Sequence, residues 1–238
     1  MLDDFTSIIA QGAKDLKIEL PPGAGAAFGT YYDFLENHGQ NVNLTAISGT
    51  GEVAKLHFLD SIALINVAKF ENAKVIDVGS GAGFPGVPLK IVEPSLELTL
   101  LEPTGKRVDF LTELLDKLRI DATVLKARAE DVAREPEKRE SFDIVLSRAV
   151  ARLNILCELC LPFVSIGGLF IAMKGTDTTE ELQEAQSAIK ALSAELLDHS
   201  DYTIPGTAIS HRAVVIRKIR TTKDKYPRRY AKIKNSPL

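Results

Sequence analysis

The residues best suited to chemistry lie in one stretch, Val75-Ile76-Asp77-Val78-Gly79-Ser80-Gly81-Ala82-Gly83-Phe84-Pro85-Gly86-Val87-Pro88-Leu89. An apolar run passes into a glycine-rich turn and then a helical pattern, which brings backbone close to a cofactor and turns a helix N-terminus toward it. Pro85 and Pro88 fall in the first turn of that helix, where backbone N–H groups lack intrahelical partners, so they do not oppose it. Gly81-x-Gly83-x-x-Gly86 satisfies the dinucleotide fingerprint, which keeps a nicotinamide-dependent oxidoreductase in view. The glycine run nevertheless begins earlier, as Asp77-x-Gly79-x-Gly81-x-Gly83, with an acid at the strand end. Glu102 ends the next predicted strand, 23 residues after Gly79, where a carboxylate meets ribose hydroxyls of either type of nucleotide.

Two further segments fall just beyond predicted strands, at the edge where open α/β sheets bind ligands: Arg128-Ala129-Glu130-Asp131 and Ser147-Arg148-Ala149-Val150-Ala151-Arg152. Arg148 directly follows a buried strand, where a fixed cation can orient an anionic or carbonyl-bearing group. His57 and Asp60 share a helix face and are read as junction residues that cap, or hydrogen-bond, the helical extension against the sheet. His38, His199 and His211 show no metal-ligand spacing, so no metal is expected. Cys157 and Cys160 form a Cys-x-x-Cys pattern, but they recur with Leu153, Leu156 and Leu161 at helical spacing and are expected in the core.

These residues need a scaffold. Residues 1–20 and 24–38 read as amphipathic helices separated by Pro21-Pro22-Gly23, and a third apolar-periodic stretch covers Val53 to Phe70. Strands are predicted at Lys74–Val78, Leu96–Leu101, Ala122–Leu125, Phe142–Leu146 and Gly168–Met173, spaced as βαβ units. Helices are expected over Thr104–Leu118 and Thr179–Leu197, and late strands near Tyr202–Ile204 and Ala213–Ile219. The fold class is α/β, a mainly parallel seven-stranded sheet, organised as a helical extension (1–70), a sheet domain (71–220) and a basic tail (221–238). Ile155–Met173 approaches the length of a membrane span, but Pro162 and Gly167-Gly168 divide it into helix, turn and strand. The N-terminus has no basic start followed by an apolar run, so no signal peptide is expected and the chain reads as cytoplasmic.

Charge is unevenly distributed. The 238 residues carry a formal net charge of −3, with 45% hydrophobic and 26% charged residues, figures that exclude collagenous, disulfide-stapled and wholly disordered chains. Mild acidity on average argues against a nucleic-acid partner, yet ten of the basic residues and a single acid, Asp224, fall between His211 and Leu238. Tyr226 and Tyr230 interleave with these cations and could stack on exposed bases. Arg228, Arg229, Lys232 and Lys234 are therefore candidate RNA contacts, with Arg152 and Lys174 just beyond the fourth and fifth strands.

Asp77-x-Gly79-x-Gly81-x-Gly83 resembles motif I of S-adenosylmethionine-dependent methyltransferases. With Asn43-Leu44-Thr45-Ala46-Ile47, His57-Phe58-Leu59-Asp60-Ser61, Ser147-Arg148-Ala149-Val150-Ala151 and Tyr226-Pro227-Arg228-Arg229, it resembles the ribosomal RNA small subunit methyltransferase G family, also called glucose-inhibited division protein B. The resemblance implies a class I, Rossmann-like methyltransferase with an N-terminal helical extension. It implies S-adenosyl-L-methionine as cofactor and ring nitrogen 7 of one guanine in 16S rRNA of the small ribosomal subunit as substrate. A monomer with no membrane partner is expected. Donor contacts would fall on Gly79, Phe84, Ala129, Glu130 and Arg148, beside Gly81 and Gly83 from the loop itself and Glu102 after the second strand. Ring nitrogen 7 carries a lone pair and no proton, so no general base and no catalytic side chain beyond positioning is expected. In place of a proline- and glycine-punctuated tail, this chain has Tyr230-Ala231-Lys232-Ile233-Lys234-Asn235. A non-catalytic RNA-binding module that retains a cofactor fold is the other alternative.

Overall fold

The computed structural model describes residues 2–38, 47–148 and 150–238. Asn43–Ala46 and Ala149, which belong to the motifs above, lie outside them. Helix α1 (Leu2–Asp15) places Asp3 and Asp4 in its first turn and buries Phe5, Ile9 and Ala13. Pro21-Pro22 and Gly23, at φ 86°, redirect the chain into α2 (Ala24–His38), which buries Phe28, Tyr31, Tyr32, Phe34 and Leu35. The stretch expected as a third helix to Phe70 is instead broken: α3 (Thr50–Val53), wider π-helical turns over Ala54–Leu59, α4 (Asp60–Ile62), and a tight turn over Ala63–Asn66. Ser61 Oγ donates to the carbonyl of His57, an alternative partner of the kind that perturbs a helical ladder.

The sheet has the order β3-β2-β1-β4-β5-β7-β6. It comprises β1 (Lys74–Val78), β2 (Glu97–Leu101), β3 (Ala122–Leu125), β4 (Phe142–Arg148), β5 (Val164–Gly175), β6 (Ala194–Thr203) and β7 (Ser210–Lys218). Strands β1 to β5 pair in parallel, and β7 runs antiparallel between β5 and β6. Helices α5 (Gly86–Val92), α6 (Gly105–Leu118), α7 (Ala129–Val132), α8 (Leu153–Cys160) and α9 (Thr179–Ala191) complete the crossovers, and α10 (Tyr230–Asn235) ends the chain. The order reverses between β1 and β4, the switch point at which such sheets open a crevice.

Alternation along β1 sorts the core into two layers. Val75 joins Phe28, Tyr31, Phe58 and Phe84 from the extension and glycine loop, so the extension and the sheet share one core. Ile76 and Val78 join the other layer, with Leu156, Cys157, Cys160, Ala188, Tyr226 and Ile233. Both thiols are fully buried, which pushes their pKa values up and makes them core residues as expected. Among the described residues no helix is long and apolar enough to cross a membrane. Leu161–Phe163 forms a turn between α8 and β5 where Pro162 was expected to break the apolar window.

Sequence periodicity misassigns the end of α9. The helix stops at Ala191, Ser193 takes a left-handed φ of 59°, and Ala194–Thr203 becomes β6 rather than a helix followed by a short strand near Tyr202–Ile204. Nine register positions with β7 outweigh the helical propensity of Ala-Glu-Leu-Leu, and a bulge between Leu196 and Asp198 accompanies two exposed leucines, Leu196 and Leu197.

Candidate active site

A cleft of about 820 Å³ opens at the carboxyl ends of the central strands, within the size range of nucleotide-sized ligand pockets. Gly79, Gly81, Phe84, Glu102 and Arg148 line it, five of the eight residues expected at the donor site. The loop is tied to β2: the N–H groups of Gly79 and Ser80 donate to the Leu101 carbonyl at 2.8 and 3.3 Å. A Cβ on Gly81 would meet nothing nearer than 3.9 Å, so this glycine leaves room for a ligand to approach the backbone.

Three expected donor residues stand elsewhere. Gly83 packs behind the loop, where an added Cβ would lie 2.8 Å from the Tyr31 hydroxyl and 2.9 Å from Val87. Its φ of 101° also excludes most side chains, and this side of the glycine packs against the extension. Ala129 turns into the apolar layer beside α8, and Glu130 sits on the first turn of α7; neither lines the cleft.

Glu102 is 2% exposed and pinned by two backbone donors, Gly81 N–H to Oε2 at 3.1 Å and Thr104 N–H to Oε1 at 2.9 Å. A carboxylate retains further lone pairs, which suits ribose hydroxyls. Behind the loop Asp77 is fully buried; Oδ2 accepts the Gly86 N–H at 2.9 Å while Oδ1 has no partner. Burial raises its pKa to about 7, opposed by the Gly86 hydrogen bond.

The helical extension supplies one wall. The Tyr31 hydroxyl donates to the Ala82 carbonyl at 2.6 Å, and its ring stacks on Phe84 at 5.1 Å. His57 lines the cleft and stacks on Phe84 at 4.9 Å; burial and then the neighbouring Arg148 push its pKa down to about 4, so the imidazole is neutral at pH 7. The Arg148 guanidinium lies 5.0 Å from the centre of the Phe84 ring. Asp60, expected with His57 to be a junction residue, also lines the cleft, as does His211. The signal available in the sequence was the polar pair inside an otherwise apolar helical stretch.

The candidate RNA contacts separate into two groups. Arg229, Lys232 and Lys234 are exposed. Arg228 is taken up by buried Glu158, which accepts its backbone N–H and Nε at 2.8 Å and Nη2 at 2.6 Å. Lys174 lines the cleft, but its Nζ sits 2.7 Å from Glu181 and donates to the Ala151 carbonyl. Arg152 pairs with Glu184 at 3.0 Å and Glu180 at 3.5 Å. Tyr226, expected to stack on bases, is buried; Tyr230 is exposed. Among the described residues no group of three or more His, Cys, Asp or Glu is placed to hold a metal ion.

A glycine loop after β1, a carboxylate after β2 and this strand order define a class I methyltransferase fold. Solved structures share it: a predicted O-methyltransferase from Agrobacterium tumefaciens has a TM-score of 0.52 at 20% identity, over 71% of this chain and 83% of that one. TYW2 from P. horikoshii in complex with MeSAdo has a TM-score of 0.53 at 15% identity, over 68% of this chain and 62% of that one. A family model, rRNA small subunit methyltransferase G, matches residues 25–205. The ribosomal RNA small subunit methyltransferase G of Thermoanaerobacter pseudethanolicus is 43% identical over 240 residues, all of both chains, and that of Alkaliphilus oremlandii is 42% identical over 237 residues, 99% of each. The chain belongs to the rRNA small subunit methyltransferase G family.

Proposed function

We propose that this chain transfers the methyl group of S-adenosylmethionine to ring nitrogen 7 of one guanine in 16S rRNA. The observation that carries the reading is the cleft itself, where open backbone at Gly81 adjoins the pinned carboxylate of Glu102 and the aromatic wall of Phe84 and His57. When bound, S-adenosylmethionine supplies an electrophilic methyl group: the bond from nitrogen 7 to carbon forms as the sulfur–carbon bond breaks, the sulfur keeps that electron pair, and guanine becomes cationic.

Within this reading, Gly81 gives backbone access, Glu102 holds the ribose, and Phe84, stacked with Tyr31 and His57 beside the Arg148 cation, forms the buried aromatic wall. The acceptor nitrogen has no proton to lose, so the residues need only align it and exclude water. A neutral His57 suits this chemistry, because it adds no charge beside a guanine that becomes positive. Arg220, Lys223, Lys225, Arg229, Lys232 and Lys234 are exposed and supply the phosphate contacts. A ribosomal substrate supports action in the cytoplasm.

Labelled-methyl transfer to small ribosomal subunits from an undermethylated source, followed by mapping of the modified nucleotide, tests the proposal. Incorporation at one guanine nitrogen 7 is expected. Donor binding without incorporation would leave the non-catalytic RNA-binding module instead.

A further inference from the structure

Side chains from three distant segments converge on the carboxylate of Asp60, which is 1% exposed. Oδ1 accepts from the Tyr202 hydroxyl at 2.9 Å and faces His211 Nδ1 at 2.8 Å, while Oδ2 accepts from Arg148 Nη1 at 3.3 Å. Arg148 also donates to the Leu56 carbonyl at 3.4 Å and faces His57 Nδ1 at 3.3 Å. Arg148 and His211 both line the cleft, and the side chain of His211 is 30% exposed. Tyr202 is not among the lining residues, so it reaches the site through Asp60.

Two groups that would otherwise compete for space and charge are held side by side by one anion. Only a carboxylate offers acceptors on both sides; an amide in its place presents one oxygen and one NH₂, and a donor then faces either Arg148 or the Tyr202–His211 pair. The hydrogen bond to Asp60 also favours the charged imidazole of His211.

We infer that Asp60 is a positioning residue for methyl transfer: its buried carboxylate sets where Arg148 stands in the cleft and where His211 stands at its rim. The inference rests on the methyltransferase reading. Because Asp60 belongs to the extension, Arg148 to β4, Tyr202 to β6 and His211 to β7, it also fixes the extension relative to the sheet edge.

The test uses the full chain and the variants Asp60→Asn, Tyr202→Phe, His211→Gln and the double variant Asp60→Asn with His211→Gln. For each, the folded fraction is measured by thermal melting, the donor Kd by calorimetry, and kcat and KM on undermethylated small subunits. Expected for Asp60→Asn is a kcat lower by roughly tenfold or more in folded protein, and for Tyr202→Phe a decrease of about threefold. The double variant should fall little below the worse single variant, because both changes break one unit. Equal kcat in folded Asp60→Asn, or losses that multiply in the double variant, would overturn the inference. If Asp60→Asn does not fold, Tyr202→Phe decides alone, since an unchanged kcat there removes the link. If the wild-type chain transfers no methyl group, the parent reading fails separately. The cluster is then judged by nitrogen-15 resonances, which should show His211 protonated at Nδ1 in the wild-type chain and altered by Tyr202→Phe; an unaltered resonance overturns it.

Discussion

The two ends of the chain both read in the sequence as appendages, but they settle on opposite faces of the sheet and are attached by different means. The extension is held mainly by aromatic packing: Phe5 stacks on Tyr32 at 4.3 Å, and Phe28, Tyr31 and Phe84 all contact the Phe58 ring. Those contacts run directly into the glycine loop. The tail is clamped by charge: Glu158 takes Arg228, Arg139 donates to the carbonyls of Ala133, Thr222 and Tyr226, and buried Lys218 pairs with Glu140 at 3.1 Å. None of these tail partners lines the cleft. Damage to the extension should therefore appear in donor binding, and damage to the tail in stability or RNA binding.

The sharpest break is on the tail side. Glu158→Gln leaves Arg228 without its buried anion and should cost about 3 kcal/mol in urea unfolding, while donor Kd per folded molecule stays constant. A weakened Kd would contradict the division of labour. Asp77, on the extension side, is a buried carboxylate with one oxygen, Oδ1, left without a hydrogen-bond partner. Its pKa of about 7 in the folded chain lies above the unfolded value of 3.8, so the folded state holds the proton longer and stability falls as pH rises between those values. Between about pH 5 and 8 the wild-type chain should lose about 2–3 kcal/mol that Asp77→Asn does not lose, measured by urea unfolding at each pH. Next in size is Tyr31→Phe, which strands the buried Ala82 carbonyl and should weaken donor binding by about tenfold, read by calorimetry, with an unchanged salt dependence of RNA binding. Smallest is Lys232→Gln with Lys234→Gln: a loss of a few-fold in RNA affinity and a salt slope shallower by about 1.4, with donor binding unaffected.

Removing the tail after Arg220 would be a poor test of RNA binding, because it also deletes Tyr226, Arg228 and Ile233, which complete the packing beside α8. Point substitutions at exposed cations leave that core intact.

Much of the fold is legible because its signals are local. The starts of β1, β3 and β4 fall at Lys74, Ala122 and Phe142 as the apolar runs predict, and the loop from Gly79 to Gly86 sits between strand and helix. What is not legible depends on distant partners. β6 exists because β7 lies beside it, and no periodicity in Ala194–Leu197 announces that. Arg228 looks like any tail cation until Glu158, 70 residues earlier, is found beneath it. His57 and Asp60 are legible as junction residues between extension and sheet, but their targets, Phe84, Arg148, Tyr202 and His211, come from other segments and are not. Even within the glycine motif, spacing cannot separate Gly81, which faces the cleft, from Gly83, which faces Tyr31.

Strand β7 acts as a ruler. Its first residues bring His211 to the cleft rim and its last, Lys218, is buried at the far edge of the sheet, seven residues or roughly 23 Å away at about 3.3 Å per residue. The cations that follow, Arg220, Lys223 and Lys225, leave the sheet at that distance from the site of transfer. An RNA that touches both must reach across that distance, and a free nucleoside should be a poor substitute for it.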